Sequence, residues 1–136
     1  MEFDVTIKCV LTVAGSDSGG GAGIQADLKS ISANGGYGLT VLTSITAQNT
    51  QAVTAAIALE PDLIAAQFAA VHADFEVAAL KSGMLADVPR VESVGEALDQ
   101  FGSHNYVLDP VMVATSGATL LEQEAVSAVI DVLVPK

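Results

Sequence analysis

The sequence has 136 residues, of which 51% are hydrophobic, and its 16 acidic and 5 basic residues give a net charge of -11. This length predicts one domain, and the apolar content predicts a folded core rather than a disordered chain. Nucleic acid and anionic membranes are not expected as partners, since both require a basic surface, and the absence of a secretory leader or a membrane-length apolar run predicts a cytoplasmic location.

The first part of the chain predicts a strand, a loop, a helix and a second strand. The strand is predicted at residues 10–14, the loop of glycine and serine at 15–21, and the second strand at 39–47. The helix ends near residues 34–36, and its apolar face recurs at helical spacing with Ile24, Leu28 and Ile31. This unit places a ligand at the carboxyl end of a parallel sheet, near amides with partial positive charge. The loop has neither the G-x-G-x-x-G nor the Walker spacing.

The rest of the chain predicts strands alternating with helices. Strands are predicted at residues 53–59, 77–80 and 106–108. Helices are predicted to begin at Pro61, at Pro89 and after a polar turn at 115–117. The apolar faces of the first and last of these helices are predicted to consist of Leu63, Ile64, Phe68 and Val71, and of Val126, Val129, Ile130 and Leu133. The alternation predicts a three-layer α/β/α architecture with a mostly parallel sheet.

Polar and glycine-rich segments follow several of the predicted strands. These segments are residues 15–21, 48–49, 81–84 and 109–113, and the carboxyl ends of parallel strands would bring them together. His72 and His104 lack the spacing of metal ligands, and no serine has a G-x-S-x-G context. The segments therefore predict a ligand site without a histidine-bound metal and without hydrolase chemistry.

A family resemblance is carried by motifs in these same segments. AGSDSGGGAGIQADLK is followed by TSITAQNT, LKSGML and VLDPVMVATSG, and together they resemble the hydroxymethylpyrimidine/phosphomethylpyrimidine kinases of thiamine biosynthesis. That family belongs to the ribokinase-like superfamily. The resemblance covers nearly the whole chain but only about the N-terminal half of a family member. It implies that residues 1–136 are the N-terminal part of a single ribokinase-like kinase domain, truncated on its C-terminal side.

The resemblance implies ATP-dependent phosphorylation of 4-amino-5-hydroxymethyl-2-methylpyrimidine and its monophosphate. ATP and Mg²⁺ are the implied cofactors, and the full-length family is expected to form homodimers. The catalytic cysteine or aspartate of the family is expected beyond residue 136, and Cys9 on the first strand cannot replace it. We therefore expect this chain alone to be inactive, and no residue of it is assigned to nucleotide binding.

The resemblance also assigns substrate-binding residues. Gln48 offers a donor and an acceptor side by side, which complement the ring nitrogen and exocyclic amine of an aminopyrimidine. Asp27 is expected to accept hydrogen bonds from the pyrimidine. Gly15 is expected to bring the backbone against the substrate, and Met84 and Val111 to line the pocket.

Two further residues carry charge that a metal ion or a phosphate group would meet. Asp109 is expected to hold Mg²⁺, in part through water, beside the triphosphate. Lys81 is able to offset phosphate charge. Thr46 is polar where some relatives carry an aliphatic residue, which leaves its part in the pocket wall open.

Plainer interpretations remain open at this point. Gln48 and Asp109 fit turns that follow strands, Asp27 fits an exposed helix carboxylate, and Met84 and Val111 fit the core. The closest alternative function is a pyridoxine/pyridoxal-type kinase. A non-catalytic pyrimidine-binding module and a chain that does not fold alone are the others.

Overall fold

The computed structural model describes residues 7–102, 105–113, 117 and 121–136. In these residues the strands are β1 (Cys9–Ser16), β2 (Tyr37–Gln48), β3 (Val53–Ala58), β4 (Val77–Ser82) and β5 (Tyr106–Leu108). The helices there are α1 (Gly23–Ala33), α2 (Pro61–Asp74), α3 (Val88–Phe101) and α4 (Gln123–Ala128), and α4 continues into a π-helical turn at Val129–Leu133. The strands form one sheet in the order β3-β2-β1-β4-β5.

The sheet is mostly parallel, as predicted, with one antiparallel strand. β1 runs parallel to β2 and β4, and β4 runs parallel to β5, whereas β3 is antiparallel to β2. The alternation of strands and helices is therefore interrupted between β2 and β3, where the sequence also predicted two consecutive strands. The Asn49 side-chain oxygen accepts from the Gln51 and Ala52 amides at 2.9 and 3.0 Å, which closes a tight turn instead of a helical crossover.

Alternate side chains of β1 face two different helical layers. Leu11 and Val13 are fully buried in a core that they share with Phe68 of α2 and Val94 of α3. Thr12, which points the other way, donates to Asp27 of α1. Because successive side chains of a strand point to opposite faces, α1 covers one face of the sheet and α2 and α3 cover the other. This confirms the three-layer prediction.

Two apolar residues predicted to face the core are exposed instead. Leu63 is 50% exposed, while Ile64 and Phe68 are fully buried, because adjacent residues of a helix are about 100° apart around its axis. Ile130 is 56% exposed, since it lies in the π-helical turn, whose wider spacing shifts the helical register. Most of the predicted turn at 115–117, and His104, lie outside the described residues. Within the described part, no helix has the length and apolar character needed to cross a bilayer.

A partly buried pair of hydroxyl groups joins β4 to β5. Ser82 Oγ and the Tyr106 hydroxyl lie 2.6 Å apart and share a hydrogen bond, and Ser82 is fully buried. Burial raises the pKa of the Tyr106 phenol above its ordinary value, and the hydrogen bond with Ser82 offsets part of the rise. The neutral phenol is therefore the form that this end of the sheet accommodates.

Titration of Tyr106 tests this packing. In a Tyr37→Phe variant, Tyr106 is the one tyrosine left of the 2 in the sequence, and we expect its ionisation above the ordinary pKa of about 10. A raised pKa in the folded state gives stability that is fully present below the unfolded-state value and is lost as pH rises through the folded-state value. Tyrosinate absorbance of the folded variant measures the midpoint, and a midpoint at or below that of free tyrosine would contradict the packing.

Candidate functional site

A cavity of about 520 Å³ lies at the carboxyl ends of β1, β2 and β4. All of the strand-end segments singled out in the sequence contribute to its wall. The residues predicted to bind substrate, together with the predicted metal residue, line it: Gly15, Asp27, Gln48, Met84, Val111 and Asp109. The structure thus brings the predicted residues to one place, while their binding roles stay predictions.

The glycine loop at the edge of this cavity is organised by Asp17. Its side chain is 5% exposed, and its carboxylate accepts from the backbone amides of Gly19 at 2.7 Å, Gly21 at 2.9 Å and Ala22 at 2.8 Å. The sequence predicted that backbone amides near this loop bind a ligand, but these three amides already donate to the Asp17 carboxylate. Sequence reasoning missed Asp17, although an acid in a glycine–serine loop directly before a helix is a recognised amide-capping arrangement.

Hydrogen bonds also attach the loop to the end of β2. Ser18 Oγ donates to the Gln48 carbonyl and accepts from the Gln48 amide, both at 2.7 Å. Thr46 Oγ1 donates to the Ser16 carbonyl at 2.7 Å, so the polar side chain at this position holds the loop while it lines the cavity. The side-chain amide nitrogen of Gln48 has no hydrogen-bond partner among the described residues, which leaves it available to a ligand.

Two glycines allow α1 to approach the end of β1. Gly23 has a φ of +56°, and a Cβ on it would lie 2.3 Å from the Gly15 carbonyl oxygen. A Cβ on Gly15 would lie 2.3 Å from Met84 Cε and 2.6 Å from Ser44 Oγ. Any side chain at either position would push the helix or Met84 away, so the cavity floor depends on both glycines.

Charged side chains occupy the centre of the cavity wall. Lys81 Nζ lies 3.1 and 3.0 Å from the two carboxylate oxygens of Asp27 and 3.4 Å from Asp109 Oδ2. Thr12 Oγ1 donates to Asp27 Oδ2 at 2.5 Å. Asp27 is therefore not a solvated helix carboxylate, and Lys81 is not a solvated strand-end lysine. Two carboxylates share one ammonium, which leaves this wall with an excess of negative charge.

Comparison with known proteins identifies the family. Residues 17–136 match the family model described as phosphomethylpyrimidine kinase. The chain belongs to the phosphomethylpyrimidine kinase family. It is 51% identical over 125 residues to the hydroxymethylpyrimidine/phosphomethylpyrimidine kinase of Rhizobium meliloti, covering 92% of this chain and 47% of that protein. The chain thus spans about half the length of the curated relatives it matches.

Solved structures of the family and its neighbours have the same fold. The crystal structure of a phosphomethylpyrimidine kinase from Clostridium difficile 630 matches with a TM-score of 0.88 and 45% identity, over 94% of this chain and 55% of the other. A pyridoxal kinase from Staphylococcus aureus in complex with AMP-PCP and pyridoxal matches with a TM-score of 0.81 and 32% identity, over 96% and 46%. These matches confirm the ribokinase-like fold expected from the motifs.

One buried hydroxyl close to Gly15 has no evident polar partner in the described part of the chain. Ser44 is 1% exposed, and its Oγ has no hydrogen-bond partner among the described residues. A Cβ on Gly15 would lie 2.6 Å from this oxygen, so Ser44 packs directly against the Gly15 backbone. A buried hydroxyl without a partner costs stability.

Replacing Asp17 tests the organisation of the glycine loop. We expect Asp17→Asn to lower the free energy of unfolding by about 1–3 kcal/mol, because one carboxylate oxygen becomes a donor that faces backbone N–H groups. Urea unfolding measures the change, and Glu92→Gln on the exposed side of α3 is the matched control, expected within about 0.5 kcal/mol of the parent. Equal stability of the two variants would contradict the role of Asp17.

Ser44→Ala tests the orphan hydroxyl. We expect the variant to be more stable than the parent by about 1 kcal/mol, since it keeps most of the volume and removes a buried polar group that has no partner among residues 7–102, 105–113, 117 and 121–136. Thermal and urea unfolding measure the change. A loss of stability would mean that Ser44 Oγ has a hydrogen-bond partner.

Proposed function

We propose that this chain binds 4-amino-5-hydroxymethyl-2-methylpyrimidine and its monophosphate, and takes part in their ATP-dependent phosphorylation for thiamine biosynthesis. The observation that carries the proposal is that the Gln48 amide and the Asp27 carboxylate line one cavity. Family membership supports it, because relatives with the same motifs bear the name of that kinase. Residues 1–136 act in this proposal as the N-terminal part of one kinase domain.

The polar groups of the cavity suit an aminopyrimidine. The Gln48 amide presents a donor and an acceptor in one plane, which pair with the exocyclic amine and the neighbouring ring nitrogen. Asp27 offers further acceptor capacity to the amine or to the hydroxymethyl group. A carboxylate and a primary amide on separate elements, α1 and β2, give the ring a defined orientation.

Apolar groups complete the pocket in this proposal. Met84 and Val111 line the cavity together with Gly15, and in this proposal the pyrimidine ring packs against them. Both side chains are only partly buried, so they are not plain core residues. Thr46, whose hydroxyl donates to the Ser16 carbonyl, is a further residue of the wall.

Nucleotide and magnesium enter the proposal through relatives and through Asp109. The Staphylococcus aureus pyridoxal kinase binds AMP-PCP, and the Bacillus subtilis pyridoxal kinase binds ADP. The Asp109 side chain is 53% exposed at the cavity, and the described residues contain no cluster of three metal-ligating side chains. Such a site suits a magnesium ion that keeps its waters and is bound to the nucleotide. The magnesium ion would offset the charge of the nucleotide phosphates. Asp109 would then hold that ion, in part through water.

Assembly is the remaining part of the proposal. A homodimer, expected from the family resemblance, stays a prediction. Ile45 and Ile57 are cross-strand partners on β2 and β3 and are 50% and 69% exposed, which is an apolar surface that such an assembly would bury. Sedimentation equilibrium measures the assembly directly.

Calorimetric titration with the aminopyrimidine tests the proposed function. We expect the parent chain to bind the ring, and Gln48→Ala and Asp27→Asn each to weaken binding by about 10–100-fold, because each removes hydrogen bonds to a desolvated ligand. Gln100→Ala on α3 and Asp62→Asn on α2, both exposed, are the matched controls and should bind like the parent.

Pyridoxal serves as the competing ligand in the same titrations. The proposal predicts tighter binding of the aminopyrimidine than of pyridoxal, and a larger effect of Gln48→Ala on the aminopyrimidine. Absence of aminopyrimidine binding, or a preference for pyridoxal, would contradict the proposal.

A further inference from the structure

We infer that Lys81 is the positioning residue of this site: it holds the Asp27 carboxylate in the orientation in which that group receives the ligand. The inference rests on the proposed function, in which Asp27 accepts hydrogen bonds from the pyrimidine. It assigns to Lys81 a role in binding the free alcohol, which carries no phosphate for a lysine to contact.

The contact between Lys81 and Asp27 fixes both carboxylate oxygens. Lys81 Nζ lies 3.1 Å from Oδ1 and 3.0 Å from Oδ2, and the two side chains are 24% and 21% exposed. Partial burial weakens solvent screening, so the pair constrains its partners more than a fully exposed pair does. The carboxylate cannot rotate without losing one of the two contacts.

Thr12 supports the same orientation from beneath the carboxylate. Its hydroxyl is fully buried on β1 and donates to Asp27 Oδ2 at 2.5 Å. Among the described residues, Oδ2 therefore receives two donors, whereas Oδ1 receives only the ammonium. Since a carboxylate oxygen has two lone-pair directions, Oδ1 keeps the capacity to accept from a ligand. Lys81 and Thr12 thus select which oxygen is offered to the cavity.

Gly83 provides the space in which the lysine lies. A Cβ on Gly83 would lie 3.0 Å from Lys81 Nζ and 3.1 Å from the Ala14 Cβ. The lysine side chain passes over this glycine on its way to α1, and Gly83 itself lines the cavity. A side chain at position 83 would therefore displace the ammonium from Asp27.

Asp109 forms a second ion pair with the Lys81 ammonium. Its Oδ2 lies 3.4 Å from Lys81 Nζ, and its side chain is 53% exposed. The ammonium is already shared by two carboxylates before a ligand arrives. The positive charge of Lys81 is therefore already paired with the carboxylates of Asp27 and Asp109. This pairing favours a role in positioning Asp27 over a direct contact with phosphate.

Calorimetry with the free alcohol, 4-amino-5-hydroxymethyl-2-methylpyrimidine, tests the inference in a double-mutant cycle. We expect Lys81→Met and Asp27→Asn each to weaken binding by about 10-fold or more, and the double variant to bind no more weakly than the worse single variant, because both changes remove one coupled unit. Lys81→Arg should recover most of the affinity, since a guanidinium is able to contact both carboxylate oxygens.

Two further variants separate positioning from loss of charge or of fold. Lys8→Met removes a positive charge at an exposed position near the other end of β1 and should bind like the parent. Gly83→Ala keeps every charge but crowds the ammonium, so we expect part of the Lys81→Met loss. Urea unfolding of each variant measures whether the fold is retained. If Lys81→Met does not fold, binding by Gly83→Ala tests the inference in its place.

The possible outcomes distinguish this inference from the proposed function. If the parent does not bind the alcohol, both fail. If the parent binds and Lys81→Met binds equally well, or if the losses in the cycle are additive, the positioning role is overturned and the proposed function stands. If Lys81→Met weakens only the monophosphate, Lys81 is a phosphate contact and the inference is wrong.

Discussion

The buried carboxylate of Asp17 determines how the first strand is joined to the first helix. Three backbone amides of a loop rich in glycine would otherwise lack partners, and the loop would have many accessible conformations. With those amides held, α1 begins directly above the end of β1, close enough that Gly23 tolerates no side chain. Because α1 begins at this position, Asp27, one helical turn further on, lies next to Thr12 and Lys81. The geometry of the cavity follows from this junction.

Electrostatics adds a second constraint to the same site. The chain carries a net charge of -11, and the cavity wall places two carboxylates against one ammonium. A neutral ring with hydrogen-bond donors is compatible with this excess of negative charge, whereas an anionic ligand needs an accompanying cation. The arrangement is consistent with a site in which the ring lies near Asp27 and the phosphate charge is met by magnesium near Asp109.

Much of the fold could be predicted from local patterns. Apolar runs and turn residues gave the strands, and helical spacing gave the buried residues Ile64 and Phe68. The patterns wrongly assigned Leu63 to the buried face of α2, because the adjacent Ile64 occupies that face. They wrongly assigned Ile130 to a buried face because the π-helical turn changes the helical register there. They predicted β2 and β3 as consecutive strands but not their relative direction, because an apolar run does not reveal whether the next strand is parallel or antiparallel.

In the candidate site, too, the sequence predicted the residues that local motifs mark but not the contacts between distant elements. Strand-end position and family motifs led to Gln48, Asp27 and Asp109. Neither revealed that Lys81 binds Asp27, 54 positions earlier in the chain, or that Ser44 is buried with no hydrogen-bond partner in the part of the chain that the structure describes. Contacts between elements so distant in sequence arise only when the sheet is assembled, so spacing alone does not encode them.

The proposed function requires an aminopyrimidine to lie between β2 and α1. A crystal structure of the chain soaked with 4-amino-5-hydroxymethyl-2-methylpyrimidine tests this most directly. The account predicts a ring stacked beside Met84, with its amine and ring nitrogen within hydrogen-bond distance of the Gln48 amide and a polar group on Asp27. A ring bound elsewhere, or bound in this cavity without a contact to either side chain, would contradict it.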